Sequence, residues 1–345
     1  MASSLDAHLS SEYGSDPLKR QVADTIRNLC GASIKLRNKI LAGGEGMGNA
    51  HGATNAGGDV QKELDVVADK VFLEAAEASP IAFFGSEEQD EAVTLKPDAP
   101  LAIAIDPLDG SSNIETNVSI GTIFSILPVG DEHRGDPASV FRQKGSAQLG
   151  AGFFVYGPQL LLVMSMGNGT HVFIFSPSFG GFVELKSSLV LLDKAKEFAI
   201  NASNYRHWDQ PIRSYVDDLL AGSEGPRERD FNMRWIASMV ADCYRILLRG
   251  GIFLYPGDGR KGYSKGRLRL VYEANPIAFC VENAGGLATD GTTRILDIVP
   301  EGLHDRTPLV FGSKREVERV ARYIVDPSAL AERSPLFGKR SLFRA

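Results

Sequence analysis

The chain has 345 residues, 43% of them hydrophobic, and sets 43 acids against 37 Lys and Arg for a formal net charge of −6. That length suits two packed domains or one large layered one, and the hydrophobic content is enough to fill them. An acidic balance without clustered Lys and Arg argues against general nucleic-acid or anionic-membrane partners; the apolar runs are too short for a bilayer, and residues 1–15 have neither the basic nor the apolar region of a signal peptide.

Val22, Ile26, Leu29, Leu36 and Ile40 recur at helical spacing while Lys19, Arg27, Lys35 and Lys39 lie off that stripe, which predicts an amphipathic helix with a solvated basic face. Residues 43–58 are rich in Gly, Ala and Asn, and their G-x-G-x-G follows a helix where a dinucleotide fingerprint needs a strand. The stretch therefore reads as a mobile loop. Val60, Leu64, Val67, Val71 and Ala75 predict a second helix over 60–78, with Asp59 as its N-cap and Asp65 at the edge of the apolar stripe. A short apolar stretch at 81–84 then leads to Glu87 and Glu88, adjacent acids that on their own read as a solvated loop.

The run I-A-I-D-P-L-D-G-S-S at 103–112 is the most informative in the chain. Residues 101–105 predict a buried strand, and Pro107 stops ladder pairing, so Asp106 is placed at the strand's end with Asp109 near it. Two such carboxylates suit a hard divalent cation, Gly110 permits close backbone approach, and Ser111 and Ser112 offer hydroxyls and amides to an anion. The alternative for this segment alone is an Asp-rich turn with a helix cap. Strands are predicted further on at 118–127, 151–156, 160–166 and 171–175.

A second region opens near 187–196, with a short strand at 197–201, a helix at 212–220 and a charged Gly/Pro loop at 223–230. Ile236, Val240, Cys243 and Leu247 mark an amphipathic helix that ends at Gly250-Gly251, which makes Cys243 a core residue. Residues 258–265 are turn-rich. Glu273 follows the alternating run 266–272 and precedes an apolar helix, where it reads equally as a helix-start acid. Cys30, Cys243 and Cys280 are too few and too widely spaced for a disulfide framework or a C-x-x-C pair, so a reduced cytoplasmic setting is expected. The tail 327–345, with Arg333, Lys339, Arg340 and Arg344, has weak periodicity.

D-P-L-D-G-S-S at 106–112 resembles the metal and phosphate motif of the Mg²⁺-dependent, lithium-sensitive sugar phosphatases. More narrowly, G-G-D-V-x-K-E-L-D (57–65), S-E-E (86–88), S-M-V-A-D (238–242), G-G-I-F-L-Y-P (250–256), L-R-L-V-Y-E-A-N-P (268–276) and A-G-G-L-A-T-D-G (284–291) resemble class I fructose-1,6-bisphosphatases, in family order. The resemblance implies an α/β sugar phosphatase fold of mixed sheets and helices in alternating layers. Its expected domains are a metal and 1-phosphate domain at 1–189 and a sugar and 6-phosphate domain at 190–327, followed by a tail at 328–345.

It further implies hydrolysis of the 1-phosphate of fructose 1,6-bisphosphate, in gluconeogenesis or the reductive pentose phosphate pathway. Two or more Mg²⁺ per subunit, replaceable by Mn²⁺, would be held by Glu87, Asp106, the carbonyl of Leu108, Asp109 and Glu273. Glu88 and Asp65 would activate the attacking water, and Asp59 would support the mobile loop through Arg269. Asp109, Gly110, Ser111 and Ser112 would hold the 1-phosphate; Asn201, Arg234, Trp235, Tyr255 and Arg267 would hold the sugar and the distal phosphate. The resemblance also implies a homo-oligomer, a tetramer, in which Arg234 reaches a neighbour's site.

Three positions depart from the family pattern: Asn204 and Trp235 stand where tyrosine is common and Arg267 where lysine is, so charge is kept and two phenol hydroxyls are lost. Leu29-Cys30-Gly31-Ala32-Ser33 replaces the segment that holds AMP in many relatives, so AMP inhibition is not expected. Two other readings stand beside this one. One is a broader bisphosphatase that also takes sedoheptulose 1,7-bisphosphate; the other is a non-catalytic sugar-phosphate-binding regulator.

Overall fold

A computed structural model describes residues 3–43, 50–54 and 60–326. Helices α1 (Leu5–Tyr13) and α2 (Pro17–Ala42) are followed by a ribbon of β1 (Ala50–Thr54) and β2 (Val60–Lys62) and by α3 (Glu63–Glu77). Strands β3 (Ile81–Ser86), β4 (Val93–Thr94), β5 (Leu101–Asp109), β6 (Ile120–Pro128), β7 (Gly150–Tyr156), β8 (Leu160–Ser165), β9 (Thr170–Ser176) and β10 (Gly181–Lys186) make an eight-stranded sheet in the order β10-β9-β8-β7-β6-β5-β3-β4. After it come β11 (Glu197–Ile200), α4 (Gln210–Leu220), β12 (Asn232–Met233), α5 (Met239–Arg249), β13 (Ile252–Tyr255), β14 (Leu268–Arg269), α6 (Asn275–Asn283), β15 (Leu287–Thr289), β16 (Arg306–Thr307), β17 (Leu309–Gly312) and α7 (Lys314–Val325). Five of these strands form a second sheet in the order β12-β11-β13-β17-β15.

Both faces of the large sheet are covered, which explains why its strands are uninterrupted apolar runs and not alternating ones. Phe124, Phe154, Leu162 and Phe173 pack with α1, α2 and α3 on one side, while their neighbours Ile123, Phe153, Val163 and Val172 pack with α5 and α6 on the other. Phe253 and Phe311 of the second sheet close that middle layer from beneath, and α4 and α7 cover the sheet's outer face through Tyr215, Leu219, Val317 and Val320. The result is helix, sheet, helix, sheet, helix, the alternating layers implied by the resemblance. Each fully buried Phe or Leu in these layers contributes about 1.5–3 kcal/mol relative to exposure. At Gly121 a Cβ would stand 2.4 Å from Val240 Cγ2 and 2.5 Å from the Phe154 carbonyl oxygen, so only glycine lets β6 approach α5 this closely.

Several boundaries differ from the periodicity. Val60 belongs to β2 and α3 starts at Glu63, because the Val60–Lys62 backbone pairs with β1 instead of turning into the helix. The same pairing makes a strand of residues 50–54, inside the stretch read as a loop; Asp59 and the rest of that stretch except Gly43 lie outside the described residues, as does the tail from 327. The helix marked by Ile236 starts only at Met239 with Ser238 as N-cap, and Ile236 instead donates its amide to Asp242 Oδ2 at 3.1 Å. The helices α1 and α7 lie outside the elements that the sequence pattern predicts. Cys243 is buried in the middle layer, and Cys30 and Cys280 are also buried and free.

Glu316 of α7 is the polar hub of the outer layer. Its carboxylate accepts from Arg227 Nη2 at 2.6 and 2.8 Å, from Arg229 Nη2 at 2.9 Å and from the Tyr215 hydroxyl at 2.9 Å, and the side chains of Arg227 and Glu316 are each only 2% exposed. Removing one partner of such a buried pair leaves an uncompensated charge, at a cost of about 3–5 kcal/mol. Glu316→Ala is expected to lower stability by that order in thermal or urea unfolding. Replacing the charged pair with apolar residues, Glu316→Leu with Arg227→Met, should recover much of the loss.

Candidate active site

Residues 106 and 109 are an odd number apart, so on a regular strand their side chains would point to opposite faces. The structure resolves this with a bulge. Asp106 pairs with Ile123 and Asp109 with Gly121, three residues against two, and the extra residue turns both carboxylates to one side. Pro107 does not end the strand, as the sequence suggested, but sits inside the bulge where no ladder hydrogen bond is required of it. The Thr122 hydroxyl donates to the Pro107 carbonyl at 2.8 Å and pins the distortion.

Glu87 arrives by a different route. β3 runs parallel to β5 with Ser86 opposite Ile105, and the Glu87 amide donates to the Ile105 carbonyl at 3.1 Å, so the chain leaves β3 with Glu87 alongside Asp106. Glu88 and Glu87 are half-buried there, and this replaces the solvated-loop reading. Behind them Asp69 accepts from the Ser86 hydroxyl and from Gln89 Nε2, each at 2.6 Å, which holds the turn. Asp65 is buried on the first turn of α3. Glu273 comes from the far half of the chain, within a π-helical turn at Leu270–Ala274 that leads into α6; such widened turns recur at functional sites.

One oxygen each from Asp106, Asp109 and Glu273 lies within 4.8 Å of the others, and all three residues are buried. Burial and the neighbouring Glu87, Asp109 and Glu273 push the Asp106 carboxyl well above its usual range. Burial likewise raises Asp109 to about 6, against the lowering effect of the Val240 amide, which donates to its Oδ2 at 3.2 Å. Glu273 is raised by burial and by Glu87. Hard carboxylate oxygens destabilised by one another are a donor set that Mg²⁺ fits, because a dication relieves both the burial cost and the repulsion.

These acids floor a cleft of about 430 Å³ lined by Asp65, Glu87, Glu88, Asp106, Leu108, Asp109, Gly110, Ser111, Ser112, Tyr255, Arg267, Leu268, Arg269 and Glu273. Gly110 has φ 79°, the left-handed region, and a short turn over Ser111–Asn113 follows, anchored by Asn113 Nδ2 donating to the Ala237 carbonyl at 2.9 Å. Tyr255 also lines a smaller neighbouring pocket with Asn201, Asn204, Arg260 and Tyr263. Trp235 stacks at 5.8 Å on Phe253 and lies 6.2 Å from Tyr255. Arg234 is exposed and lines neither cavity; its backbone amide is tied to the Phe198 carbonyl at 2.8 Å.

Residues the sequence reading did not single out complete the site. Tyr263 receives a hydrogen bond from Arg267 Nη1 at 3.0 Å, and Arg260 lies over its ring at 4.1 Å and donates to Asn204 Oδ1 at 3.2 Å. Both come from the turn-rich 258–265 stretch, whose Lys and Arg content was the available signal. Arg269, read only as a partner for Asp59, is buried beneath the acids with Nη2 3.9 Å from Glu87, and its backbone amide donates to Glu273. Its Nε reaches the Tyr272 hydroxyl at 3.2 Å, which in turn meets His304 Nδ1 at 3.0 Å.

A layered α/β fold with a carboxylate-floored, arginine-walled cleft at the ends of two parallel strands defines a metal-dependent sugar phosphatase. The chain matches the family models described as "Fructose-1-6-bisphosphatase, N-terminal domain" over residues 29–187 and "Fructose-1-6-bisphosphatase, C-terminal domain" over 191–325. It is 60% identical over 344 residues, 99% of each chain, to "Fructose-1,6-bisphosphatase class 1" of Rhizobium meliloti, and 52% identical to a protein of the same description from Methylorubrum extorquens, covering 99% of this chain and 98% of that one. The crystal structure of the Leishmania major fructose-1,6-bisphosphatase in holo form superposes with a TM-score of 0.87 at 32% identity, covering 94% of this chain and 99% of that one. The chain belongs to the class 1 fructose-1,6-bisphosphatase family, an enzyme family whose members depend on divalent metal.

Asp109→Asn and Asp106→Asn each remove a charge that a cation would neutralise. Each is expected to cut phosphate release more than about a hundredfold, since even groups that only orient metal ligands commonly matter by 10–100-fold. Phosphate release measured across a Mg²⁺ titration, with an EDTA control, checks this; full activity in EDTA would remove the metal from the scheme.

Proposed function

We propose that this chain hydrolyses the 1-phosphate of D-fructose 1,6-bisphosphate to fructose 6-phosphate and phosphate. The observation that carries the reading is the pairing of two unlike compartments that share Tyr255: a cleft floored by buried carboxylates with Arg267 in its wall, and a smaller pocket lined by Asn201, Arg260 in an ion pair with Asp258, and Tyr263, whose hydroxyl Arg267 meets at 3.0 Å. A bisphosphorylated sugar has one phosphate to be cleaved and one to be held. Arginine suits the held phosphate, because its planar fork donates two parallel bonds and stays charged.

In this reading Glu87, Asp106, the Leu108 carbonyl, Asp109 and Glu273 hold two or more Mg²⁺, or Mn²⁺ in its place. Bound metal would neutralise the phosphoryl oxygens and acidify a water. Glu88 and Asp65 would orient the attacking water and take its proton as its oxygen bonds to phosphorus; the bond from phosphorus to the sugar O1 breaks, and O1 leaves as the hydroxyl with a proton drawn from solvent. Gly110, Ser111 and Ser112 cradle the 1-phosphate, and Asp59 steadies the preceding loop. Asn201, Trp235, Tyr255 and Arg267 hold the sugar and the 6-phosphate. Tyr263 lies where it can supply one of the phenol hydroxyls lost at Asn204 and Trp235.

Arg234 serves a neighbouring subunit within a tetramer, which its exposure and its absence from the linings of both cavities favour. The domains divide near residue 189. A reduced cytoplasmic location accords with three free, buried cysteines. Among the described residues no helix is long and apolar enough to cross a membrane.

Glu88→Gln is expected to lower kcat far more than it changes KM, because a group that activates water acts in the transition state. Asp65→Asn should behave alike, and a pure KM effect in both would return them to structural roles. For assembly, Arg234→Ala and Asp109→Asn subunits, each inactive alone, are dissociated and reassembled together. Recovered activity in the hybrid is expected, since an Asp109→Asn subunit lends its arginine to an intact cluster. No recovery with hybrids confirmed by native mass spectrometry would place Arg234 in its own subunit's site.

A further inference from the structure

The cleft lies by β3 and β5, toward one edge of the large sheet; at the other edge, α1 covers β9 and β10. The chain before α1 even extends the sheet, with Ser4 bridged to Val183 and the Glu184 amide donating to the Ser3 carbonyl at 2.8 Å. Glu184 pairs with Phe173, and His171 lies two residues from Phe173 on the same strand, so His171 and Glu184 share the face that α1 covers. His8 descends from α1 onto that face, its ring 4.3 Å from that of His171 and 5.4 Å from that of Phe173.

One ligand atom each from His8, His171 and Glu184 lies within 4.8 Å of the others. Two further observations bear on what this cluster holds. His8 is 8% exposed, and its Nε2 is buried without a hydrogen-bond partner among the described residues. Burial and the neighbouring His171 hold the His8 imidazole below its usual pKa, so it is neutral with a lone pair to offer, while Glu184 and Glu12 pull the other way and leave the locality negative. The His171–Glu184 contact accounts for part of this, Nδ1 being 3.5 Å from Oε1, but it leaves His8 Nε2 unused.

We propose that His8, His171 and Glu184 form a site for a divalent transition metal of the zinc class, separate from the catalytic cluster, that clamps α1 to the edge of the large sheet. Two imidazoles and one carboxylate are a donor set that zinc takes with water as a fourth ligand, and imidazole selects against Mg²⁺. Tetrahedral ligands about 2.1 Å from zinc sit ~3.4 Å from one another, so the cluster needs to contract by little over an ångström to close. The residues are 163 and 13 apart in sequence, which hides them from any spacing motif.

The test uses the full-length protein with saturating Mg²⁺, so that the catalytic acids are occupied, and Zn²⁺ or Co²⁺ as the probe. Wild type should bind one tight equivalent and gain thermal stability, and so should Asp109→Asn. His8→Ala and His171→Ala should weaken that equivalent more than about a hundredfold and abolish the gain in Tm, while Mg²⁺-dependent activity stays intact as a check of folding. Glu184→Gln, half-buried on the edge strand and close in size, serves if a histidine variant does not fold, with weakening of at least about tenfold expected, since even groups that only orient metal ligands commonly matter by 10–100-fold. X-ray absorption on the wild-type complex should show imidazole scattering around the metal. An all-oxygen shell, or tight binding that survives in the histidine variants and is lost in Asp109→Asn, would overturn the proposal.

Discussion

The structure is organised around the repulsion among carboxylates that it holds out of water. Two unit charges about 4 Å apart repel by roughly 4 kcal/mol at an effective dielectric near 20, and Asp106, Asp109 and Glu273 are gathered about this closely with Glu87 beside them. Each device around them limits that cost. The Leu108 amide donates to Asp106 at 2.9 Å, the Val240 amide to Asp109 and the Arg269 amide to Glu273, while the buried Arg269 guanidinium supplies a permanent positive charge. Such an arrangement is justified only by a ligand that brings more positive charge than the protein can.

The deviations from regular structure share that cause. The bulge at Pro107 turns two aspartates to one side, and the parallel pairing of β3 with β5 delivers Glu87 to the same spot. The π-turn lowers Glu273 into place from α6. Tight layer packing, such as Gly121 against Val240, makes these small distortions hold, because a close-packed interior transmits displacement instead of absorbing it.

Much of this was legible in the residues. Apolar runs at 101–105, 151–156 and 160–166 had to be buried strands, and the stripe through Val22, Ile26 and Leu29 had to be a helix. The acids of the D-P-L-D-G run suit a cation, and the family resemblance assigned Glu273 to the metals and Arg267 to the distal phosphate; the structure places both on the lining of one cleft. Other features were illegible for physical reasons. The pairing that makes a strand of Val60–Lys62 depends on a partner that local periodicity does not report. The start of α5 is set by Asp242, on that helix's own first turn, capturing the Ile236 amide six residues back, a local side-chain contact that apolar periodicity does not report. Arg260 and Tyr263 look like ordinary turn residues until their side chains are seen stacked against the second pocket.

The scatter of the clustered acids along the chain has a consequence for biosynthesis. Asp65, Glu87 and Asp106 leave the ribosome long before Glu273, and Glu273 reaches them only when its π-turn and α6 dock beneath the large sheet. A half-made chain therefore lacks part of the proposed donor set, and a cation would gain its full hold only on the completed fold. Because a ligand that binds only the native state stabilises that state alone, metal in the surrounding fluid rewards finished molecules and leaves nascent ones untouched. A cation held by this cluster would thus favour completed molecules as well as serve the proposed chemistry.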